Sequence, residues 1–357
     1  MPSLVAIEAE GSQRFVAGLL ATWDRGDAVL PVDPRLPPPA RSAVEDALGA
    51  GRPVDDGDAL VVATSGSTGM PKGVVLTHDA LAAAAKAVSS RLAVDPAADR
   101  WHACLPLSHI GGLGVVVRAL VTGTPLVVRP SFDAAADASL VSLVPTLLDR
   151  LDTSRYRVVL AGGGADWRTR GPNVVHTYGM TETGGGVVFD GVPLDGVDVR
   201  VDGTGQLLVR GSGLLRCYRD GTDPKDPDGW LATGDMGTVT ADGRVAVHGR
   251  REELIVTGGE NVWTTDVETV LRAHPGVADV AVAGRPDPEW GERVVAVVVP
   301  ADPASAPTLA ALRSWVKDRR PAFVAPRELV LVDALPRGPG GKVARGRLLD
   351  GRPGSPG

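Results

Sequence analysis

A run of glycines, hydroxyl side chains and one lysine at residues 64–74 carries the plainest chemistry in this sequence. It reads Thr-Ser-Gly-Ser-Thr-Gly-Met-Pro-Lys-Gly-Val. Glycines permit backbone turns in which several amide groups point at one anion. The hydroxyls add donors, and Lys72 adds a positive charge on a flexible side chain. The run therefore predicts a phosphate-binding loop, whose donors are Thr64, Ser65, Gly66, Ser67, Thr68 and Gly69.

This loop does not have the spacing of a P-loop. A Walker A motif needs a lysine that follows glycine and precedes serine or threonine, whereas Lys72 lies between Pro71 and Gly73. A flexible linker is the other interpretation of such a run. A linker does not need the Pro-Lys-Gly ending, and this run lies between a predicted strand, Leu60–Ala63, and a predicted helix, Asp79–Leu92.

Three further strings follow in order along the chain. They are Tyr178-Gly-Met-Thr-Glu-Thr183, then Thr233-Gly-Asp235 with Gly249-Arg250, then Pro336-Arg-Gly-Pro-Gly-Gly-Lys342. Together with the loop they resemble the signature motifs of the acyl-adenylating (AMP-binding) superfamily, which includes acyl-CoA synthetases, peptide-synthetase adenylation domains and beetle luciferases. The resemblance implies an enzyme that activates a carboxylic acid with ATP as an acyl-adenylate and passes the acyl group to a thiol such as coenzyme A.

The resemblance also assigns roles in a nucleotide site. Glu182 is expected to bind Mg²⁺, which takes few protein carboxylates and completes its shell with phosphate oxygens and water. Asp235 is expected to accept both ribose hydroxyls, since a carboxylate can accept two adjacent donors, and Arg250 is the second ribose residue. A surface glutamate and a turn-capping aspartate are the alternative interpretations. Further residues are assigned to phosphate or adenine: Thr181, Gly163, Gly164, Tyr178, Gly179 and Met180.

The last motif implies a catalytic lysine, Lys342, which would bridge the acyl carboxylate and the α-phosphate. In a site that excludes water, one such donor is worth about 10²–10³ in rate. A mobile basic tail is the alternative interpretation, because arginines and glycines surround this lysine. Glu252 falls at the family's hinge position, where most relatives have aspartate. The channel for coenzyme A is expected beside Gly258, Gly259 and Glu260.

A second set of strings bears on the acid. They are 106–112, 143–146, 178–186 and 190–196, and they resemble the o-succinylbenzoate–CoA ligases of menaquinone biosynthesis in their short actinobacterial form. Only 63 residues precede the phosphate loop, which predicts a shortened N-terminal subdomain. The implied substrate is a small aromatic keto-diacid. Its second carboxylate could be held by Ser108, His109 and the floor at 183–186, and no arginine is dedicated to it, although Arg118 is one further option. The predicted acyl-pocket residues are Ser108, His109, Gly112, Thr183 and Gly184.

Hydrophobic periodicity predicts an α/β protein with two domains. Strands alternating with helices up to about residue 187 predict layered α/β sheets, and short runs between turn motifs up to 248 predict a small β subdomain. The chain from 249 predicts a compact, mobile α+β unit. We therefore expect a large AMP- and acyl-binding domain at 1–248, a C-terminal lid domain with the catalytic lysine at 249–350, and a disordered tail at 351–357.

The predicted elements can be stated individually. Helices are predicted at Gln13–Trp23, Ala40–Leu48, Asp79–Leu92, Asp266–Ala273 and Leu309–Lys317. Strands are predicted at Ala28–Pro31, Leu60–Ala63, Gly123–Arg129, Leu140–Leu143, Val158–Leu160, Gln206–Arg210, Arg244–His248, Val277–Ala283, Arg293–Val299 and Glu328–Val332.

The composition limits the classes of partner that this chain is expected to bind. The chain has 37 Lys and Arg against 43 Asp and Glu, a net charge of −6, which gives no electrostatic reason to expect nucleic acid or an anionic membrane surface. The longest charge-free stretch, 101–117, contains histidine, proline and glycine, so no membrane insertion is expected. Two cysteines outside any motif fit the reduced cytoplasm. The expected partners are ATP, Mg²⁺, coenzyme A and a small carboxylic acid, and a homodimer is left open.

Four alternatives remain open from the residues. The enzyme could act on another aryl or short acyl acid, could load a carrier protein, or could be a luciferase-type oxygenase. A non-catalytic nucleotide-binding protein is disfavoured, because every charged residue of the motifs is present, namely Lys72, Glu182, Asp235, Arg250 and Lys342.

Overall fold

The computed structural model describes residues 1–65, 71–148, 150–163, 171–337 and 343–350. Within these ranges the chain divides into two compact units. The first comprises Met1–Thr233 and Gly237–His248, and the second comprises Gly234–Met236 and the chain from Gly249 onward. The tail at 351–357 and several predicted site residues lie outside the described residues, namely Gly66, Ser67, Thr68, Gly69, Gly164 and Lys342.

The individually predicted helices agree with the observed ones to within two residues at each end. Helix α4 was not predicted, and α5 lies between two predicted strands, where helical structure was expected without stated bounds. Thr77 begins α3 by accepting a hydrogen bond from the amide of Ala80 at 3.1 Å, the usual role of an N-cap threonine. No helix among the described residues has both the length and the apolar character needed to span a membrane. The helices are α1 Gln13–Trp23, α2 Pro38–Leu48, α3 His78–Arg91, α4 Ile110–Thr122, α5 Pro145–Leu148, α6 Thr264–Arg272 and α7 Leu309–Lys317.

The strands form three sheets in the first part of the chain and one in the second unit. In chain order they are β1 Leu4–Glu8, β2 Ala28–Val32, β3 Asp58–Ser65, β4 Pro71–Thr77, β5 Trp101–Ala103, β6 Leu126–Val128, β7 Leu140–Leu143, β8 Val158–Gly162, β9 Val174–Met180, β10 Gly185–Phe189, β11 Val192–Pro193, β12 Val197–Val201, β13 Gln206–Gly211, β14 Cys217–Tyr218, β15 Leu231–Val239, β16 Val245–Arg250, β17 Leu254–Thr257, β18 Glu260–Trp263, β19 Val277–Asp287, β20 Gly291–Pro300 and β21 Glu328–Leu331.

The first sheet has the order β1-β2-β3-β4-β14 and corrects one prediction. The glycine loop was expected to lead into a helix, but strand β4 intervenes and pairs antiparallel with β3. The residues Val74, Val75 and Leu76 are all buried. A strand buried on both faces reads as a continuous apolar run rather than an alternation, so its periodicity did not reveal it.

The second sheet has the order β11-β10-β9-β8-β7-β5-β6. Strands β5 to β9 pair in parallel, and β10 and β11 complete the edge in antiparallel pairing. The third sheet has the order β12-β13-β15-β16 and occupies the chain segment predicted as a β subdomain. One large apolar cluster, which includes Leu60, Trp101, Leu113 and Leu140, forms the core of the first unit.

The sheet of the second unit has the order β18-β17-β20-β19, with β21 parallel to β20. Strand β20 alternates between two apolar clusters, as a strand covered on both faces must. Val294 and Val298 pack in a cluster with α6 and α7, whereas Val295 and Val297 pack in a cluster with Leu348. The predicted fold class is thereby confirmed, although strand β1 and the β17–β18 hairpin were not predicted.

Candidate nucleotide and acyl site

Two paired strands fix both ends of the predicted phosphate loop. Thr64 of β3 lies opposite Lys72 of β4, and the Thr64 hydroxyl donates to the Lys72 carbonyl at 3.3 Å. Ser65 is the last residue of β3. Because both flanks belong to paired strands of a five-stranded sheet, they have little freedom, which is what a pre-organised ligand site needs.

The second motif folds as a rigid turn between β9 and β10. The hydroxyl of Thr183 accepts the amide of Met180 at 2.9 Å and lies 2.6 Å from the carbonyl oxygen of Gly185. Gly179 must be glycine, because a Cβ there would lie 2.0 Å from the same carbonyl oxygen. Thr183 is 1% exposed and its hydroxyl is engaged within the turn; its contact with the acid stays a prediction. The turn leaves Glu182 and its neighbour Thr181 partly exposed.

Glu182 is held by a residue that the motifs did not indicate. The hydroxyl of Tyr218 donates to Glu182 Oε1 at 3.1 Å, and the Lys72 Nζ lies 5.0 Å from the centre of the Tyr218 ring. Burial, and then the charge of Glu182, raises the pKa of Tyr218, so its hydroxyl stays a donor at neutral pH. A single tyrosine outside any motif gives no signal in the sequence.

The carboxylate of Glu182 suits Mg²⁺ as a ligand. Among the described residues, Tyr218 occupies one oxygen of Glu182 and no hydrogen bond is made to the other. No cluster of three or more metal-ligating side chains occurs in the described ranges. Magnesium needs no such cluster, because it is commonly held by one or two carboxylates together with substrate phosphates and water.

The residues predicted for adenine lie on neighbouring strands of the second sheet. Gly162, the last residue of β8, pairs with Thr177 of β9, so Gly163 and Tyr178 each follow one member of that pair. Tyr178 is half-buried against the core of the first unit. The carboxyl ends of parallel strands are where open α/β sheets bind ligands, and these two residues lie at such an end.

Asp235 and Arg250, the predicted ribose residues, contact each other. Arg250 Nε lies 2.8 Å from Asp235 Oδ1, and the two side chains are 49% and 7% exposed. A carboxylate with two oxygens can hold one arginine and still accept further donors. The pair therefore presents one buried acceptor and one accessible cation in the same small area.

The predicted acyl residues lie around the start of α4 and the β9–β10 turn. His109 is the exposed N-cap of α4, and Ser108 is buried with no hydrogen bond to its hydroxyl among the described residues. A Cβ at Gly112 would lie 2.5 Å from the carbonyl oxygens of Leu105 and Pro106, so glycine is required by packing there, and its place in the acyl pocket stays a prediction. Gly184 is buried in the turn.

The predicted hinge and coenzyme A residues lie at the start of the second unit. Glu252 is exposed in a short 3₁₀ turn, Arg251–Glu253. Gly258 and Gly259 connect β17 to β18, which begins at Glu260, and all three residues are exposed. Exposure on tight turns leaves these residues accessible to a ligand.

Comparison with known proteins agrees with this arrangement. Residues 49–219 match the AMP-binding enzyme family, and residues 266–342 match the AMP-binding enzyme C-terminal domain. A probable 2-succinylbenzoate–CoA ligase of Mycobacterium tuberculosis is 40% identical over 344 residues, which cover 87% of this chain and 89% of that protein.

Solved structures agree as well. The o-succinylbenzoate CoA synthetase of Bacillus subtilis in complex with its acyl-adenylate intermediate superposes with a TM-score of 0.83 at 25% identity, covering 99% of this chain and 89% of that one. The same enzyme in complex with ATP and magnesium superposes with a TM-score of 0.81 at 25% identity, over 98% and 89% of the two chains. This chain therefore belongs to the AMP-binding enzyme family and groups with its acid–CoA ligases.

Proposed function

We propose that this protein is an AMP-forming 2-succinylbenzoate–CoA ligase of menaquinone biosynthesis. A free carboxylate is a poor electrophile because its negative charge repels nucleophiles. The enzyme joins it to ATP as an acyl-adenylate with release of pyrophosphate, and the thiol of coenzyme A then displaces AMP to form the thioester. The names of the relatives support this acid, and the residues of α4 supply a physical reason for it.

The observation that carries the substrate is a buried arginine on α4. Arg118 is 8% exposed, and burial lowers its pKa to about 10. Its Nη2 donates to Ser142 Oγ at 3.3 Å, its guanidinium lies 4.8 Å over the Trp101 ring, and its Nε has no hydrogen bond among the described residues. None of the described carboxylates pairs with it. A buried charge without a counter-ion is costly, so this position favours an anionic ligand.

A cavity lies beside this arginine. It is a small cleft between α3, α4 and the β9–β10 turn, and its walls include Ala84, Gly114, Gly184 and Gly186. Small residues on three elements keep side-chain bulk away from this face of the guanidinium. A substrate with two carboxylates can react through one and pair the other with the planar guanidinium, which binds carboxylates through two parallel hydrogen bonds.

The remaining roles belong to the same proposal. The phosphate loop with Lys72 holds the ATP phosphates, Glu182 binds Mg²⁺, which neutralises phosphate charge, and Asp235 with Arg250 takes the ribose. Lys342 stabilises the developing charge at the carboxylate and α-phosphate. The second unit is the lid domain, with Glu252 at its hinge and the coenzyme A channel at Gly258–Glu260.

The experiment compares acids that differ by one carboxylate. Thioester formation is measured with 2-succinylbenzoate, with 4-oxo-4-phenylbutanoate, which lacks the ring carboxylate, and with benzoate, acetate and a medium-chain acid. We expect 2-succinylbenzoate to be preferred by about 10² or more in kcat/KM. The variant Arg118→Met should lose about that factor with the diacid and change little with 4-oxo-4-phenylbutanoate.

The outcomes separate the parts of the proposal. A preference for another acid would keep the ligase and reject 2-succinylbenzoate. No release of AMP with any acid would reject the enzyme. A wild-type preference that survives in Arg118→Met would assign the second carboxylate to another residue.

Two finer points belong to the proposal. The reaction takes place in the cytoplasm, where ATP and coenzyme A are available, and the protein acts as a homodimer. Light scattering of the purified protein tests the assembly, since a mass of one chain would contradict a dimer.

A further inference from the structure

Tyr218 lies between two residues that the motifs assign to Mg·ATP. Its strand, β14, pairs antiparallel with β4, which places Tyr218 opposite Val74 and two positions from Lys72. Its hydroxyl reaches Glu182 at 3.1 Å, and Lys72 lies over its ring at 5.0 Å. One side chain therefore contacts a predicted metal ligand with its polar end and a predicted phosphate-binding lysine with its ring face.

The backbone around Tyr218 is fixed on both sides. The amide of Arg219 donates to the carbonyl of Gly73 at 2.7 Å, and the amide of Tyr218 donates to the carbonyl of Thr222 at 2.8 Å. The carbonyl of Glu182 accepts the amide of Leu215 at 2.8 Å. The segment 215–219 thus connects the strand that carries Lys72 to the turn that carries Glu182, and the tyrosine ring has a defined place between them.

The arrangement keeps two opposite charges apart. Lys72 and Glu182 are both described, and they form no ion pair with each other; instead each contacts Tyr218. An ion pair between them would neutralise the charges that phosphate and Mg²⁺ require. A lysine over an aromatic face keeps its charge and its donors, and a carboxylate held through one oxygen keeps the other for a metal.

We propose that Tyr218 is a positioning residue of the adenylation site. Its hydroxyl orients Glu182 toward Mg²⁺, and its ring separates Lys72 from Glu182 and supports the lysine for phosphate. This inference rests on the proposed function, in which Glu182 and Lys72 serve Mg·ATP. Orientation of a metal ligand by a neighbouring hydrogen bond is commonly worth 10–100-fold in metal affinity.

The test is ATP binding measured by calorimetry, with Mg²⁺ and with EDTA, in the absence of any acid. Tyr218→Phe keeps the ring and removes the hydroxyl. We expect it to weaken binding of Mg·ATP by about tenfold and to leave binding of metal-free ATP within twofold. Tyr218→Leu also removes the ring, so it should weaken both forms of ATP.

Two controls keep the result interpretable. Tyr156→Phe removes a buried hydroxyl that contacts His102 and should change neither affinity. Glu182→Gln tests the underlying site: if it binds Mg·ATP as the wild type does, the role of Glu182 in the proposed function is wrong. If Glu182→Gln loses the Mg²⁺ effect while Tyr218→Phe retains it, or if Tyr218→Phe weakens both forms of ATP equally, the inference on Tyr218 is overturned and the proposed function stands.

Discussion

The first unit buries Arg118 and the second partly buries Arg345, and the charges of the two arginines are treated in opposite ways. Arg345 of the second unit donates to Glu268 Oε1 at 2.6 Å, to Glu253 Oε1 at 3.2 Å and to the carbonyl of Val282 at 3.0 Å. Arg118 of the first unit has one hydrogen bond, to a serine hydroxyl, and no carboxylate partner among the described residues. Within the described ranges, the fold neutralises the charge of Arg345 and gives Arg118 no counter-ion.

The difference distinguishes an arginine that stabilises the fold from an arginine that is suited to bind a ligand. Removing two charges from water is repaid only when good geometry and further hydrogen bonds accompany the pairing, and Arg345 meets that condition. Its hydrogen bonds connect the segment after residue 342 to α6, to β19 and to the turn at Glu253. Arg118 does not meet that condition, so an anionic ligand could offset the free-energy cost of burying its charge. A buried cation without a partner is therefore the better sign of a ligand site.

The largest expected effect comes from removing the paired charge. Arg345→Met leaves Glu268 buried without its partner, and we expect a loss of about 3 kcal/mol of stability, the low end for a broken buried pair, because Arg345 is 22% exposed. Hydrogen exchange of the amides in α6 and β19 should accelerate accordingly. The exposed neighbour variant Arg347→Met should change stability by less than about 0.5 kcal/mol. Equal effects of the two variants would contradict the pairing argument.

The same substitution at Arg118, which has no carboxylate partner among the described residues, should not lower stability and could raise it. Arg118→Met replaces a buried charge by an apolar chain of similar length, so we expect unfolding free energy to stay unchanged or to rise by up to about 2 kcal/mol. Urea unfolding measures it. A loss as large as that of Arg345→Met would show that Ser142 and Trp101 hold Arg118 for structural reasons, and the argument for a bound carboxylate would fail.

The smallest expected effect on stability concerns His102, a buried side chain that, unlike an arginine, can lose its positive charge. His102 is buried against Tyr156 at 2.9 Å, and burial lowers its pKa, with Arg129 and Arg155 adding to the effect and Asp133 opposing it. Both folded and unfolded protein are neutral at this site well above pH 6.5. As pH falls below that value, the unfolded chain takes up a proton that the folded protein disfavours, so stability must fall.

Urea unfolding between pH 8 and pH 5 measures this dependence. Subtracting the curve of His102→Phe isolates the contribution of His102, which should be no steeper than about 1.4 kcal/mol per pH unit. Parallel curves for the two proteins would show that His102 does not titrate differently on folding.

Local sequence pattern was enough to predict many of the helices and strands, but it missed others. Helices α1 and α7 have the predicted bounds, because amphipathic periodicity is visible within the segment itself. Strand β4 was missed because both of its faces are buried. The surroundings of Thr183 and Gly112 could not be predicted for a related reason: a motif names a residue type, but only packing shows that the Thr183 hydroxyl is engaged in its own turn or that Gly112 lies against neighbouring carbonyls.

The sequence by itself determined the family, the two-domain plan and the residue types of the nucleotide site, because these depend on short motifs and local periodicity. Only the tertiary structure decided which charges have partners. Tyr218 reaches Glu182 across 36 residues and Arg345 reaches Glu268 across 77, whereas Arg118 finds no such carboxylate among the described residues. Burial and pairing depend on distant segments that meet when the chain folds, and no local pattern records that meeting.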